Sequence, residues 1–288
     1  MERRLRACRA SDRMHPWRLK LRFWGVRGSI PTPEPQNLGF GGNTACLELR
    51  LPGDELFIFD AGTGIRNLGA SLHDTGARAQ DINLFFTHFH WDHIQGLPFF
   101  GPLYDPSSCM RLYSSSYSGE LSKSVAGQMA APYFPVKFDD ASSKREFVDL
   151  GVDPIRVGEL TIHPFCLNHP QGASGYRIES QGAVIVYATD REHGDPILDS
   201  VLREYADGAD LLIHDAQYTP EEYARYKGRG HSTWTEAVKV AQESHVKELV
   251  LFHHDPFHDD ETLQRIVNEA RARFPNTIGA SEGWTTTL

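Results

Sequence analysis

The spacing of apolar residues along the chain predicts a protein built from both strands and helices. Short runs rich in Phe, Ile, Leu and Val, bounded by Gly, Pro, Asp or Asn, are typical of strands. They occupy residues 19–26, 45–51, 56–60, 82–87, 110–114, 160–166, 175–179, 184–188, 211–214 and 249–253. Stretches that favour helices lie between many of them. These are residues 65–75, 120–130, 196–205, 234–244 and 260–274.

Two of the predicted helices also carry start signals. Ser232 or Thr233 can cap the helix over residues 234–244, and Glu236 is placed to complete a capping box. Asp259 can cap the last helix in the same way. Local chemistry therefore agrees with the helical stretches at both positions.

The order of the elements indicates one domain with stacked layers. The first part is mainly strands and the second mixes strands with helices, which favours sheets inside and helices outside. We expect a single domain over residues 18–288, with an irregular loop at 132–154 that crosses between two halves. We expect residues 1–17 to be a disordered arginine-rich extension, or the start to be set too early, with Met14 as the true first residue.

Composition excludes several classes of protein. With 40% hydrophobic and 23% charged residues, the chain has enough apolar material for a sizeable core. No run reaches the roughly 18 apolar residues of a membrane helix, so we expect no membrane association. A net charge of -9 argues against a protein that coats nucleic acid. The four cysteines form no CxxC pair, which favours a reducing cytoplasm over a disulfide framework.

Histidine is unusually frequent, with 14 residues, and the densest group of candidate metal ligands follows the strand at residues 82–87. That segment reads Thr87-His88-Phe89-His90-Trp91-Asp92-His93. Imidazole and carboxylate groups are the ligands that zinc and similar metals prefer. Alternation lets His88 and His90 project to the same side, and a turn at Asp92 and His93 offers a second pair. The segment therefore predicts metal ligands at the end of a strand.

This segment resembles the metal-binding signature of the metallo-β-lactamase fold superfamily. The resemblance implies an α+β fold, a four-layer αββα sandwich whose two similar halves meet with the metals at the end of the inner sheets. It extends over residues 20–285. Two further runs resemble the ribonuclease Z-like and phosphodiesterase-like branch of the superfamily. They are Leu167-Asn168-His169-Pro170 and Ser174-Gly175-Tyr176-Arg177-Ile178.

The resemblance also implies two metal sites that share one carboxylate. The first site would comprise His88, His90 and His169. The second site would comprise Asp92, His93, Asp190 and His253. Asp190 would bridge the two ions, and His254 is the alternative to His253, because adjacent side chains on a strand point in opposite directions. We expect two divalent ions, zinc by preference, with manganese and iron as alternatives.

Two segments predict acid–base chemistry beside the metals. Leu211-Leu212-Ile213-His214-Asp215-Ala216-Gln217 ends a strand, and Gly230-His231-Ser232-Thr233 opens a helix. By resemblance, Asp215 would orient His231, and His231 would donate a proton to the leaving oxygen. The run His-Asp-Ala-Gln departs from the His-Glu-Ala-Thr run of ribonuclease Z-like enzymes and shortens the acid by one methylene. The candidate catalytic residues are Asp92, Asp215 and His231.

Several other residues are candidates for supporting roles. By resemblance, Asp60 would accept a hydrogen bond from a ligand. The glycine-containing segments around Arg27 and Asn43 flank a proline-rich loop, and they either support the site through one of these two side chains or form only a junction between a strand and a loop. A basic group before His231 either meets an anionic substrate or is a solvated charged turn. That group comprises Arg225, Lys227 and Arg229. The last group is expected behind the ligands or at the surface and comprises His254, Asp255 and His258.

These observations predict a dinuclear metal-dependent hydrolase. The interval between His169 and Asp190 leaves no room for the RNA-gripping arm that ribonuclease Z-like enzymes commonly carry there. We therefore expect a small anionic substrate, a phosphodiester such as a cyclic nucleotide, rather than nucleic acid. The alternatives are an RNA-processing nuclease, a thioester or β-lactam hydrolase, and a metal-stabilised binding or sensor module. A homodimer is compatible with all of them.

Overall fold

The structure is a computed structural model that describes residues 19–74, 81–115 and 120–288. The expectation for residues 1–17 lies outside these ranges, as does Thr75, the last residue of a predicted helix. Within them, fourteen strands form two seven-stranded sheets, accompanied by seven α-helices and four short 3₁₀-helices. No helix in these ranges has both the length and the apolar character needed to cross a bilayer.

The first sheet contains the strands of the first part of the chain and one strand from its end. In chain order these are β1 (Lys20–Gly25), β2 (Cys46–Arg50), β3 (Leu56–Phe59), β4 (Asp81–Phe85), β5 (Cys109–Ser114), β6 (Lys144–Asp149) and β14 (Thr285–Thr287). Their order across the sheet is β14-β1-β2-β3-β4-β5-β6. The pairs from β14 to β3 are antiparallel, and those from β3 to β6 are parallel.

The second sheet has the same arrangement, with an antiparallel part followed by a parallel part. Its strands are β7 (Ile155–Val157), β8 (Leu160–Leu167), β9 (Ala173–Ser180), β10 (Ala183–Ala188), β11 (Leu211–Asp215), β12 (Glu248–Phe252) and β13 (Thr277–Gly279). They follow one another in sequence order across the sheet. The pairs from β7 to β10 are antiparallel, and those from β10 to β13 are parallel.

The helices are α1 (Gly64–Asp74), α2 (Trp91–Ile94), α3 (Leu121–Gln128), α4 (Pro196–Ala206), α5 (Pro220–Tyr226), α6 (Trp234–Glu243) and α7 (Asp260–Arg273). Of these, α1, α3, α4, α6 and α7 pack on the outer faces of the two sheets. The 3₁₀-helices are Pro35–Asn37, Leu97–Phe99, Gly101–Tyr104 and Phe138–Asp140. Thr233 caps α6 by accepting from the backbone N–H of Glu236, and Asp259 caps α7, as the sequence predicts.

Three apolar clusters hold the layers together. The central cluster lies between the sheets and joins Phe59 and Phe85 of the first sheet to Tyr187 and Phe252 of the second. A second cluster lies between the first sheet and α1 with α3, and a third between the second sheet and α4, α6 and α7. The order helix, sheet, sheet, helix confirms the predicted αββα sandwich.

The sequence missed four strands and two helices, and each has a weak local signal. Strand β6 lies in the stretch expected to be an irregular loop; it is a polar edge strand with exposed charged residues. Strands β7, β13 and β14 have three residues each, too few to show alternation. Helix α2 is one turn long, and α5 begins with a capping box between Thr219 and Glu222 but has no buried residue that would give it an apolar face.

Candidate metal centre

The candidate ligands follow the ends of strands that meet at one edge of the sandwich. In parallel strands the carboxyl ends lie together, and side chains that follow them converge. His88 and His90 follow β4, and the chain then enters α2, which carries Asp92 and His93. From the second sheet come three more residues, each one or two positions past a strand. They are His169 after β8, Asp190 after β10 and His253 after β12.

His88, His90 and His169 form the first cluster. One ring nitrogen from each lies within 4.8 Å of the others. Nε2 of His169 is 3.0 Å from Nδ1 of His90, and the ring centroids of His88 and His169 are 4.7 Å apart. His88 and His169 are buried, whereas His90 is half-buried. The three residues of the predicted first site therefore meet in the fold.

The second cluster is fully buried and contains two carboxylates and two imidazoles. Its members are Asp92, His93, Asp190 and His253. Nε2 of His253 lies 3.2 Å from Oδ2 of Asp92 and 3.3 Å from Oδ1 of Asp190. Nε2 of His93 lies 3.1 Å from Oδ2 of Asp190. The four residues of the predicted second site are thus also brought together.

Asp190 lies between the two clusters. Its Oδ1 is 3.8 Å from Nε2 of His88 and 3.9 Å from Nε2 of His169. Its Oδ2 faces His93 of the second cluster at 3.1 Å. The ring centroids of His88 and His93 are 4.3 Å apart, so the clusters are immediate neighbours. One carboxylate is therefore positioned to serve two adjacent cations.

Outer hydrogen bonds orient the histidines of the second cluster. Nδ1 of His93 donates to Oδ2 of Asp60 at 2.9 Å, the contact that the resemblance implied for this aspartate. Nδ1 of His253 donates to Oε1 of Gln217 at 3.0 Å. With the proton held on Nδ1, Nε2 of each ring presents its lone pair to the cluster.

The histidines of the first cluster are oriented in the same way. Nδ1 of His169 donates to the carbonyl oxygen of Gly230 at 2.8 Å, which leaves Nε2 for the cluster. Nε2 of His90 donates to Oε1 of Gln171 at 2.8 Å, which leaves Nδ1. The ring nitrogens that face the shared point are therefore the unprotonated ones.

His88 provides the clearest test of whether a metal fits. The hydroxyl of Thr87 donates to Asp60, so Nδ1 of His88 donates to the hydroxyl oxygen at 3.1 Å. Its Nε2 is buried and has no hydrogen-bond partner within the described ranges. A buried ring nitrogen without a partner is unfavourable unless something else binds it. The residues present fit a divalent ion, and the fold with its His/Asp clusters indicates divalent-metal binding.

The electrostatics of the centre agree with this arrangement. Burial lowers the pKa of His88 well below its usual range and lowers that of His169 to about 4, so both rings are neutral at pH 7. Burial also opposes the charged form of His93, but Asp190 and Asp92 outweigh it and raise its pKa well above the usual value. The second cluster therefore favours positive charge, which a bound metal supplies.

Asp215, which is buried, and His231, which is half-buried, form a pair beside the second cluster. Nδ1 of His231 donates to Oδ2 of Asp215 at 2.9 Å, and the rings of His231 and His253 stack at 4.9 Å. Oδ1 of Asp215 accepts from the backbone N–H groups of Gln217 and Ser232. Burial lowers the pKa of His231, but the charge and hydrogen bond of Asp215 raise it to about 9. His231 is thus protonated at neutral pH. Asp215 binds Nδ1, so Nε2 is the ring nitrogen that can donate to another group.

The backbone is strained at three residues of the centre. Asp60, Asp190 and His253 have φ of 62°, 53° and 61°, a region that non-glycine residues seldom adopt. Each follows a strand directly or by one residue. Such strain persists where surrounding contacts enforce it and is common at functional sites.

The glycine-rich front loop reaches the centre through Ser29, not through Arg27 or Asn43. The backbone N–H of Ser29 donates to Oδ2 of Asp92 at 2.7 Å. Arg27 is fully buried and donates to the carbonyl oxygen of His258 at 2.5 Å, so it fastens two loops to each other. The side chain of Asn43 donates to Glu282.

His253, and not His254, faces the cluster. Nε2 of His254 donates to the carbonyl oxygen of Ala280 at 2.8 Å, on the opposite side of the chain. His258 is buried and pairs with Glu222, with 2.8 Å between Nε2 and Oε1. Both histidines therefore lie outside the ligand clusters.

Of the basic residues before His231, Arg229 is the one that lines a cavity next to that histidine. Its guanidinium carbon lies 4.9 Å from the ring centre of Tyr226. Arg225 and Lys227 are exposed and are not among the residues that line this cavity. All three side chains are therefore exposed, and Arg229 is the one that lies near the site.

Sequence reasoning missed the residues that orient the ligands from outside. Gln171 and Gln217 have no local signal for this role, although Gln217 lies in the run that departs from the family pattern. Glu192 is 8% exposed, and its carboxylate accepts from the backbone N–H of Gly228 at 2.7 Å and of Gly230 at 2.9 Å. It also accepts from the hydroxyl of Tyr223 at 3.0 Å. Glu192 thus holds the loop that supports His169 and precedes His231.

Comparison with known proteins agrees with this geometry. The family described as Beta-lactamase superfamily domain matches residues 56–254, more than half of the chain. A ribonuclease Z from Synechococcus sp. (strain CC9605) is 25% identical, and the match covers 92% of this chain and 96% of the relative.

Solved structures show the same fold. The metallo-β-lactamase fold protein YhfI from Bacillus subtilis aligns with a TM-score of 0.72 at 19% identity and covers 94% of this chain and 99% of its own. A diphosphatase from the PhnP family aligns with a TM-score of 0.69 at 18% identity, over 94% of this chain and 98% of its own. The protein therefore belongs to the β-lactamase superfamily, with the metallo-β-lactamase fold and in the ribonuclease Z-like branch.

Proposed function

We propose that this protein is a dinuclear metal-dependent phosphodiesterase that acts on a small phosphodiester such as a cyclic nucleotide. Asp92, Asp215 and His231 are the proposed catalytic residues, and the two clusters described above are the proposed metal ligands. The proposal builds on a coarser finding, since relatives and the family match indicate a metal-dependent hydrolase. Zinc is the proposed metal because imidazole dominates the donor set.

One observation carries the proposal. A carboxylate, Asp190, lies between two clusters of ligands, and a protonated imidazole lies beside it, with Nδ1 of His231 3.9 Å from Oδ1 of Asp190. Divalent ions bound at such sites lower the pKa of a coordinated water and neutralise charge on phosphate oxygens. Phosphodiester hydrolysis needs that chemistry together with an acid for the departing alkoxide.

The chain's own residues divide the remaining work. Asp215 holds the proton of His231 on Nδ1, so Nε2 is the nitrogen that delivers a proton to the leaving oxygen. The pKa of His231, raised to about 9, keeps that proton in place at neutral pH until negative charge develops on the leaving group. Ser29 restrains Asp92 by donating its N–H to the carboxylate, so this carboxylate keeps its orientation.

A small substrate is favoured over a polynucleotide. Residues 170–189, where ribonuclease Z-like enzymes commonly carry an RNA-gripping arm, are used by the hairpin of β9 and β10. A net charge of -9 also opposes a long anionic strand. One structural neighbour is named a diphosphatase. RNA processing remains the second candidate because a relative is named ribonuclease Z.

An activity panel tests the proposal directly. The zinc-loaded protein is given bis(p-nitrophenyl) phosphate, a cyclic nucleotide, a thioester, a chromogenic lactam and a precursor transfer RNA. We expect turnover of the diesters, and we expect its loss in His88→Ala and Asp190→Ala with the fold retained by circular dichroism. Turnover of only the thioester or lactam, or unchanged diester turnover in both variants, would refute the proposal. Cleavage of the transfer RNA in preference to the small diesters would favour the nuclease.

A second experiment isolates the role of His231. A p-nitrophenolate leaving group departs without a proton, whereas the alkoxide of a cyclic nucleotide needs one. We therefore expect His231→Ala to lower kcat for the cyclic nucleotide by about 100-fold or more, in the range of general acid catalysis, and to lower kcat for the nitrophenyl diester much less. Equal losses on both substrates would remove the acid role and leave a structural one.

A further inference from the structure

A cavity beside His231 has walls that differ from the metal centre in both shape and charge. Its volume is ≈ 940 Å³, and it is bounded by the front loop, by the segment before α6 and by the loop after β12. His231, the proposed proton donor, lies in its wall. The group that fills this cavity is therefore the part of the substrate that leaves with the proton from His231.

A continuous row of rings runs along one wall, from the metal centre into the cavity. The ring of His231 stacks on His253 at 4.9 Å and meets Tyr218 edge-on at 6.0 Å. Tyr218 contacts Tyr226 at 5.3 Å between centroids, and the guanidinium of Arg229 lies 4.9 Å from the ring of Tyr226. Such a wall offers flat surfaces against which another flat, unsaturated ring can stack.

Two apolar side chains complete the cavity from the opposite loops. Ile30 is 57% exposed and Phe257 is 93% exposed. The backbone of Phe257 is nevertheless held in place, because its N–H donates to Oδ1 of Asp255 at 2.8 Å. A large apolar side chain on a restrained loop at a cavity is typical of a ligand contact, because burial of exposed apolar surface by a ligand stabilises the complex.

The charge of the cavity is predominantly negative. Four carboxylates line it, against the cations Arg229 and His231. They belong to Glu34, Glu222, Asp255 and Asp259. Glu222 pairs with His258, and the buried guanidinium of Arg27 lies behind Asp255, so these two groups offset part of the negative charge. Within the described ranges, none of the four carboxylates forms an ion pair with a lysine or an arginine. A second phosphate or carboxylate on the substrate would meet repulsion here.

We propose that this cavity selects the alcohol part of the phosphodiester. It takes an alcohol part that carries a flat ring, such as a nucleobase or an aryl group, and no charge beyond that of the reacting phosphate, and it rejects one with an additional anionic group. In a cyclic nucleotide, the nucleoside is this part. This inference rests on the proposed phosphodiesterase activity and names its substrate class. The rings of Tyr226 and Phe257 supply the contact area, and the carboxylates supply the discrimination against additional negative charge.

Matched diesters test the inference, with release of the alcohol measured by chromatography. The first pair is methyl uridine 5′-phosphate and methyl ribose 5-phosphate, which differ in the base. The second pair is methyl phenyl phosphate and its 3-carboxyphenyl analogue, which differ in charge. Stacking of a base on an aromatic side chain is worth about 1–3 kcal/mol, so we expect kcat/KM for the uridine diester to be about 5- to 150-fold higher than for the ribose diester. We expect the carboxyphenyl ester to be the poorer of its pair.

Variants assign these preferences to the cavity. Phe257→Ala should lower kcat/KM for the uridine diester more than for the ribose diester, because Phe257 contacts only the ring. Glu34→Gln should narrow the difference in kcat/KM between the phenyl and carboxyphenyl esters. Glu34 is exposed, and in the part of the chain that the structure describes its carboxylate accepts a hydrogen bond from Asn37 alone, at 3.3 Å. Glu204→Gln, an exposed acid on α4 outside the cavity lining, is the matched control and should change neither ratio.

The outcomes separate this inference from the proposed function. If diesters are hydrolysed with equal kcat/KM within both pairs, or if Phe257→Ala lowers both members of the first pair equally, the cavity does not select the alcohol and the inference fails alone. If no diester is hydrolysed, the proposed phosphodiesterase activity fails and this inference fails with it.

Discussion

Gly228 and Gly230 are two similar sites at which a substitution can test how the position of His169 affects the metal centre. Both have φ of +89°, and both donate their backbone N–H to the carboxylate of Glu192. A Cβ at residue 228 would have no heavy atom within 4 Å. A Cβ at residue 230 would lie 2.4 Å from Nδ1 of His169 and 2.4 Å from Cδ of Pro170. Alanine at residue 230 would therefore press on His169, a candidate ligand, and on Pro170, whereas alanine at residue 228 would press on neither.

The size of the effect follows from these distances. An alanine at this φ costs about 1–2 kcal/mol of backbone strain, and this cost is shared by both variants. Ordinary contact begins at 3.4 Å, so relief of a 2.4 Å contact requires His169 to shift by about 1 Å. A displacement of about 1 Å in a catalytic arrangement can lower the rate about 100-fold. We expect Gly230→Ala to lower kcat/KM for a small diester by that factor, and Gly228→Ala to keep it close to the original value.

Three measurements separate the possible results. Thermal unfolding reports the shared backbone strain, competition with a chelating dye reports zinc affinity, and diester turnover reports the chemistry. We expect a larger loss of thermal stability in Gly230→Ala, because its steric clash adds to the backbone strain that both variants share, and we expect weaker zinc binding only in Gly230→Ala. Equal zinc affinity and equal kcat/KM in both variants would show that the contact with His169 does not matter to the centre.

Three further predictions concern the groups around the ligands. Glu192→Gln places an amide N–H₂ group against a backbone N–H that the carboxylate now accepts, so the free energy of unfolding should fall by about 1–3 kcal/mol in a denaturant titration. The effect should be smaller in Tyr223→Phe, and an unchanged midpoint would contradict this. Asp60→Asn keeps a residue type that tolerates positive φ but removes the charge behind His93, so zinc affinity should fall about 10- to 100-fold; unaltered affinity in a dye competition would exclude that role. Zinc added to the metal-free protein at 100 times its Kd should stabilise the fold by about 2.7 kcal/mol, which is measured as a rise in Tm. The rise should be smaller in Asp190→Ala; equal rises in Tm for this variant and the unmodified protein would mean that the ion binds elsewhere.

The strands and the candidate ligand segments could be predicted because both depend on local sequence. Buried central strands need near-continuous apolar runs, and the turn after each must be polar, so the ends of β4, β10 and β12 are easily located. Alternation along a strand predicted that only one of His253 and His254 faces the centre, and the resemblance favoured His253; the fold places His254 against Ala280. The αββα arrangement required the resemblance, since the same runs fit other layered folds.

The parts that could not be predicted depend on contacts between distant segments. Gln217 reaches His253, and Glu192 reaches Gly230, across intervals that no local periodicity encodes. Edge strand β6 was not predicted because its exposed faces carry charged residues and its sequence lacks an apolar pattern. Its strand conformation comes from pairing with β5. Positions set by tertiary hydrogen bonds are therefore invisible to an analysis of spacing alone.

The division of the clusters between the two sheets has a consequence for how the protein would fail. His88 and His93 belong to the first half of the chain, whereas Asp190 and His253 belong to the second. The clusters can form only while the two halves keep their relative position. Bound ions would therefore hold the two sheets together at the edge where they meet, which we call the seam. A mutation that loosens the seam should release metal first, while each half still retains its strands. Metal retention would then be a more sensitive gauge of damage to the seam than secondary-structure content.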